Sequence, residues 1–123
     1  MTQRFILRGK LPSNNDFIRA NRSGPQAGNA FKEKHQGLVA WEIRAARLTP
    51  IAKPVRIHYR FFEGSMRRDG DNIFSFAAKV IQDALVETGV LPQDNRYVIT
   101  GFTSEFFLDR KNPRIEIELE EIE

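Results

Sequence analysis

Apolar and polar positions alternate along this chain in two different periods. Over residues 4–10, Phe5 and Leu7 alternate with Arg4, Ile6 and Arg8, which predicts a half-buried strand. It stops at Leu11-Pro12-Ser13-Asn14-Asn15-Asp16, a run of turn formers. Residues 21–29 are Asn, Arg, Ser, Gly, Pro, Gln and Ala; they cannot hold a core and read as a flexible loop. Over residues 33–48, Leu38, Trp41, Ala45 and Leu48 recur at helical spacing, predicting an amphipathic helix that buries Trp41 and turns Arg44 and Arg47 toward the polar side. Pro54 precedes the cleanest strand, residues 55–62, with Val55, Ile57, Tyr59 and Phe61 on one face and Arg56, His58 and Arg60 on the other. His58 is then a solvated strand residue without a catalytic role. A second helix is predicted over residues 72–88, with Ile73, Phe76, Ala77, Val80, Ile81, Ala84 and Leu85 on one arc and Gly89 as its C-terminal cap. Strands over 97–107 and 114–122 complete the pattern, and in the last Ile115, Ile117 and Leu119 alternate with Glu116, Glu118 and Glu120. The sum is one small α/β (α+β) domain, about four strands with two main helices.

Composition narrows the chemistry. With 123 residues, 41% of them hydrophobic and 28% charged, the chain reads as a single ordinary globular domain without repeats or linkers. No apolar run is long enough for a bilayer. Residues 1–10 show no signal peptide, so a cytoplasmic location is the expectation. Zero cysteines exclude disulfides, thiolate zinc sites, iron–sulfur clusters and cysteine nucleophiles, and two histidines make a histidine-rich site improbable. A metal here must be held by oxygen, which points to magnesium or manganese.

Charge divides along the chain. Residues 1–68 carry 14 Lys and Arg against 4 Asp and Glu, a balance of +10, and residues 69–123 carry 5 against 12, a balance of −7. A nucleic-acid enzyme needs both halves, cations for phosphates and carboxylates for metal ions. Pairing of basic and acidic strands in one sheet would remove the asymmetry on folding instead. Arg19, Arg22, Lys32 and Lys34, on and around the 21–29 segment, are the candidate phosphate contacts, together with Arg67 and Arg68.

The residues able to do chemistry lie between 67 and 95. Arg67-Arg68-Asp69-Gly70-Asp71-Asn72 sets two carboxylates two residues apart just before a helix, on one side of an extended segment and able to share a cation. They could equally cap the helix and complement its dipole. Lys79 lies seven residues after Asn72, about 10 Å along the axis and nearly above it, so its ammonium can lean back toward Asp69 and Asp71. The competing reading is an ordinary Lys79–Asp83 pair. Asp94, on the tight loop Gly89-Val90-Leu91-Pro92-Gln93-Asp94-Asn95, would have to reach the other two acids by an adjoining chain path or from a partner subunit.

Taken together, Leu11-Pro12-Ser13-Asn14-Asn15, Arg68-Asp69-Gly70-Asp71-Asn72, Lys79, Asp83-Ala84-Leu85 and the 89–95 loop resemble the RusA-type Holliday junction resolvases, crossover junction endodeoxyribonucleases common in prophages and phages. The resemblance implies a homodimer with a small mixed α/β fold. It also implies a magnesium-dependent active site, with manganese as a possible substitute, formed by Asp69, Asp71 and Asp94 and assisted by Lys79. Two features depart from the family pattern: Gln93-Asp94 replaces a pair of aspartates, and the 72–83 stretch is longer by about one helical turn. The expected activity is resolution of four-way DNA junctions by paired symmetric nicks, in recombination and repair. A non-catalytic branched-DNA-binding protein of the same fold is the alternative, and a ribonuclease acting on structured RNA a third. Among the phenylalanines, Phe74 and Phe106 are the candidate dimer contacts.

Overall fold

The computed structural model describes residues 1–122 and places four strands in one sheet: β1 (Thr2–Arg8), β2 (Val55–Glu63), β3 (Ile99–Leu108) and β4 (Arg114–Glu121), in the order β1-β4-β2-β3. β4 runs antiparallel to both β1 and β2, while β2 and β3 are parallel. A parallel pair needs a crossover, and the helix α3 (Gly70–Glu87) supplies it, so the sheet is mixed. Period two puts Phe5, Leu7, Val55, Ile57, Tyr59, Phe61, Ile115, Ile117 and Leu119 on one buried face. Against it pack α3 and α2 (Pro25–Ala45). All seven residues assigned to the inner arc of α3 are buried there. Gly89, at φ 79°, ends α3 with Val90 N–H and Leu91 N–H donating back to the Leu85 carbonyl. Phe74 lies off that arc but is not free for an interface: it is partly buried, with its ring against Tyr59, Phe61 and Phe102.

Beside the two long helices stands a short third one, α1 (Asn14–Asn21), where the pattern of turn formers had marked only a break. Those residues are its cap. Ser13 Oγ accepts from the Asp16 N–H and the Asp16 carboxylate accepts from the Ser13 N–H, a reciprocal box that starts a helix. The 21–29 segment is likewise mostly helix. Pro25 occupies the first turn of α2, where its missing N–H costs nothing, and only residues 22–24 connect the two helices. Gly28 permits their close crossing, since a Cβ there would collide with the Asn21 side chain.

Starting eight residues earlier than its apolar pattern suggested, α2 presents a different face. Val39, Ala40 and Ile43 are buried, and Phe31 packs on Phe17 and Phe76, whereas Trp41 is 66% exposed and Leu38 also faces water. Two apolar stripes run along α2, and the one with smaller residues fits against α3 and the sheet. The larger stripe is left outside.

The outer sheet face carries the charge pairing that the sequence allowed as an alternative. Arg4 lies opposite Glu118 and reaches it at 3.3 Å, Arg60 touches Glu105 and Glu118 at 3.5 and 4.0 Å, and Arg56 approaches Glu120 at 3.8 Å. His58 bonds to Thr103 Oγ1 at 2.7 Å and Glu120 Oε1 at 2.9 Å, so it belongs to this lattice rather than standing in solvent. Exposed pairs of this kind add little stability but match strands in register.

The burial of α2 predicts that Ile43→Ala lowers unfolding free energy by about 3 kcal/mol, whereas Trp41→Ala changes it by no more than about 0.5 kcal/mol. Urea denaturation of the two variants measures both, and the reverse ranking would mean that α2 presents its other stripe to the core.

Candidate metal and phosphate site at the start of helix α3

The segment leading into α3 is held by one ion pair. Glu63 is the last inward-facing residue of β2, a carboxylate on an otherwise apolar face, and burying it unpaired would be costly. Arg68 answers it with two parallel bonds, Nε to Oε1 and Nη2 to Oε2, both 2.8 Å, and its Nη1 donates to the Leu11 carbonyl at 2.8 Å. Arg68 is therefore committed inside the fold and is not available as a phosphate contact. Glu63 was not among the residues singled out from sequence. The signal was there, because it continues the series Val55, Ile57, Tyr59, Phe61 onto the buried face.

Asp69 follows immediately. It occupies the N-cap position of α3 with extended backbone angles (φ −73°, ψ 143°), yet its side chain makes no capping bond. Aspartate at that position ordinarily gains about 1 kcal/mol by accepting from the helix amides. Asp71, two residues on and exposed, accepts from the Asn72 N–H at 3.0 Å. Gly70 between them needs no unusual bend. It leaves room for the Phe106 ring, whose Cε2 would lie 3.0 Å from a Cβ at this position.

Lys79 does not reach back toward these acids. Its Nζ lies 3.2 Å from Asp83 Oδ1 and 3.4 Å from Asp94 Oδ2, eight residues and about 12 Å along the axis from Asp71. The ordinary Lys79–Asp83 pair is formed, and Asp94 joins it from the 88–98 loop of the same chain. Leu91 is buried under that loop, and Asn95 Oδ1 accepts from the Tyr97 and Val98 N–H groups, which fixes the turn that carries Asp94. Lys32 of α2 closes on the other oxygen of Asp83 at 2.7 Å, so this carboxylate ties α2 to α3. Hydrogen bonding to Asp83, then to Asp94, pushes the Lys79 ammonium above its ordinary range.

Among the described residues no three His, Asp or Glu side chains lie together as a metal-holding group. Asp69 and Asp71 are the donor type that magnesium takes, since it binds through one or two carboxylates and completes its shell with waters and substrate phosphates. Asp94 is engaged with Lys79 instead. Of the proposed phosphate contacts, Lys32 is paired to Asp83 and Arg19 stands 3.9 Å from Asp16, while Arg22, Lys34 and Arg67 form no ion pair among the described residues.

No family model matches the chain, and no curated protein matches it. No helix is long and apolar enough to cross a membrane among the described residues.

The Asp83 cluster carries a pH signature. Burial raises the carboxyl's proton affinity, but hydrogen bonds from Lys32 and Lys79 outweigh it and hold the pKa below the ordinary 3.8. A carboxylate lowered on folding adds stability that is complete above its unfolded pKa and is lost as pH falls through the folded one. The stability advantage of the wild type over Asp83→Asn should thus be constant above about pH 5 and shrink below pH 3.8, as followed by denaturation at successive pH values. An advantage unchanged down to pH 2 would show that Asp83 does not titrate as this cluster requires.

Proposed function

We propose that this protein is a magnesium-dependent, structure-specific DNA endonuclease that acts as a homodimer on four-way junctions. The observation that carries the reading is Asp69. A carboxylate at a helix cap that forgoes the capping bond, beside a second exposed carboxylate, is a pair kept open for another ligand. The amides of the first turn of α3 favour a phosphate at the same end. Their resemblance to the junction resolvases supplies the substrate class.

Asp69 and Asp71 hold the ion in this reading, and Arg68 positions Asp69 through its bonds to Glu63 and Leu11. Magnesium supplies an activated water and charge neutralisation for in-line attack on a phosphodiester. Lys79, kept protonated and oriented by Asp83 and Asp94, offers a cation on the solvent side of α3 to the DNA backbone. Asp94, the third carboxylate that the resemblance implies, stands on Lys79 and orients it rather than joining Asp69 and Asp71.

Two symmetric nicks require two sites, and a two-fold dimer provides them. The edge strand β3 suits that purpose. Phe102, Phe106 and Leu108, respectively 51, 43 and 46% exposed, follow one another on its helix-side face, and Phe106 touches Gly70 between the two acids. A long apolar edge left bare invites association.

Two outcomes follow. The wild type nicks a synthetic four-way junction in magnesium and not in EDTA, and Asp71→Asn lowers that rate roughly 100-fold or more while binding the junction as tightly or tighter. Cleavage by the variant near the wild-type rate would remove Asp71 from the site. In sedimentation equilibrium the wild type has twice the chain mass of 14.2 kDa and Phe106→Asp returns it to 14.2 kDa. A wild-type monomer with full paired-nicking activity would exclude the dimer.

A further inference from the structure

Leu11, whose carbonyl accepts from Arg68, also lines a cavity of about 460 Å³ between the end of β1 and the outward stripe of α2. Leu7, Leu11 and Val39 form its apolar floor, and Leu38 and Trp41 stand exposed at its mouth. Arg8 and Lys10 line one side, and His35 and Glu42 the other.

We propose that this cavity is a subsite for one unpaired nucleobase of the DNA, stacked on Trp41, with Arg8 and Lys10 taking the flanking phosphates. It deepens the endonuclease reading and rests on it.

Several observations favour a nucleobase. The volume lies within the range of small-ligand pockets. Trp41 offers an indole face that the fold leaves 66% exposed, and base–aromatic stacking is the usual use of such a platform. Charge at the rim is unspent: Arg4, Arg56 and Arg60 are matched by glutamates across the sheet, whereas Arg8 and Lys10 form no ion pair among the described residues. Glu42 repels phosphate from the α2 side and can accept a base's ring or exocyclic N–H, which leaves the backbone to Arg8 and Lys10. Burial, then the nearby Lys34, lowers the His35 pKa, so the imidazole adds no positive charge to the α2 side. The position is also apt. The cavity wall at Leu11 is one hydrogen bond from Arg68, the residue before Asp69, so a strand crossing the carboxylates can turn a base into it.

Trp41 is the only tryptophan, so intrinsic fluorescence reads the contact directly. The full-length protein in EDTA is titrated with a junction bearing unpaired thymines at its crossover and with a linear duplex, while anisotropy of labelled DNA follows binding independently. The expected result is saturable quenching by the unpaired thymines and little by the duplex. Trp41→Ala should weaken binding of the unpaired substrate roughly 10-fold and Trp41→Phe much less. Unchanged fluorescence at saturation, or equal affinity of Trp41→Ala, would overturn the subsite. So would a loss of dimer mass in Trp41→Ala, which would give this face to a second copy of the chain. Parallel nicking assays in magnesium separate the two ideas: quenching without nicking retains the subsite and removes the nuclease, and nicking with full affinity in Trp41→Ala does the reverse.

Discussion

A buried carboxylate at the end of a strand sets the terms for the rest of this structure. Glu63 faces the core, and only the forked guanidinium of Arg68, with Leu11 as its third partner, makes that burial tolerable. Such a pair adds little net stability over apolar residues, yet it is costly to break, so it acts as a positional constraint. It brings the segment after β2 back against the end of β1 and delivers Asp69 to the start of α3 in a fixed place. The candidate carboxylates and the Trp41 cavity lie on either side of this one joint.

Much of the fold was legible in the chain because burial there follows a single period. The alternation in β2 and β4, the seven-residue arc of α3 and the Gly89 cap each admit one inward face, and each is found as the pattern predicts. Failures came where two patterns competed. In α2 the stripe through Leu38 and Trp41 is larger than the one through Val39 and Ile43, but the second meets α3 and the first meets water. Residues 11–16 and 21–29 look like loop because Ser13, Asp16, Gly24 and Pro25 are helix-starting residues, and caps and turns share one vocabulary. The site was legible as a list of residues and not as a set of partners: no spacing rule shows that Lys79 turns to Asp83 and Asp94, or that Arg68 turns inward.

Charge shows the same division between what strand pairing absorbs and what it leaves. Part of the basic excess of residues 1–68 is matched by the glutamates of β4, as Arg4, Arg56 and Arg60 show. The cations of residues 1–68 that form no ion pair among the described residues include Arg8, Lys10, Arg22, Lys34, Arg47 and Arg67, and two of them border the exposed tryptophan.

The central claim is that Asp69 and Asp71 hold the catalytic ion, and metal placement can be read without any cleavage assay. Manganese is a paramagnetic stand-in for magnesium, so substoichiometric manganese broadens the NMR signals of amides near its site. Broadening centred on Gly70, Asp71 and Asn72, and abolished in Asp69→Asn, is the predicted result. Broadening centred on the glutamates of β4, or spread evenly over the carboxylates of the surface, would contradict it.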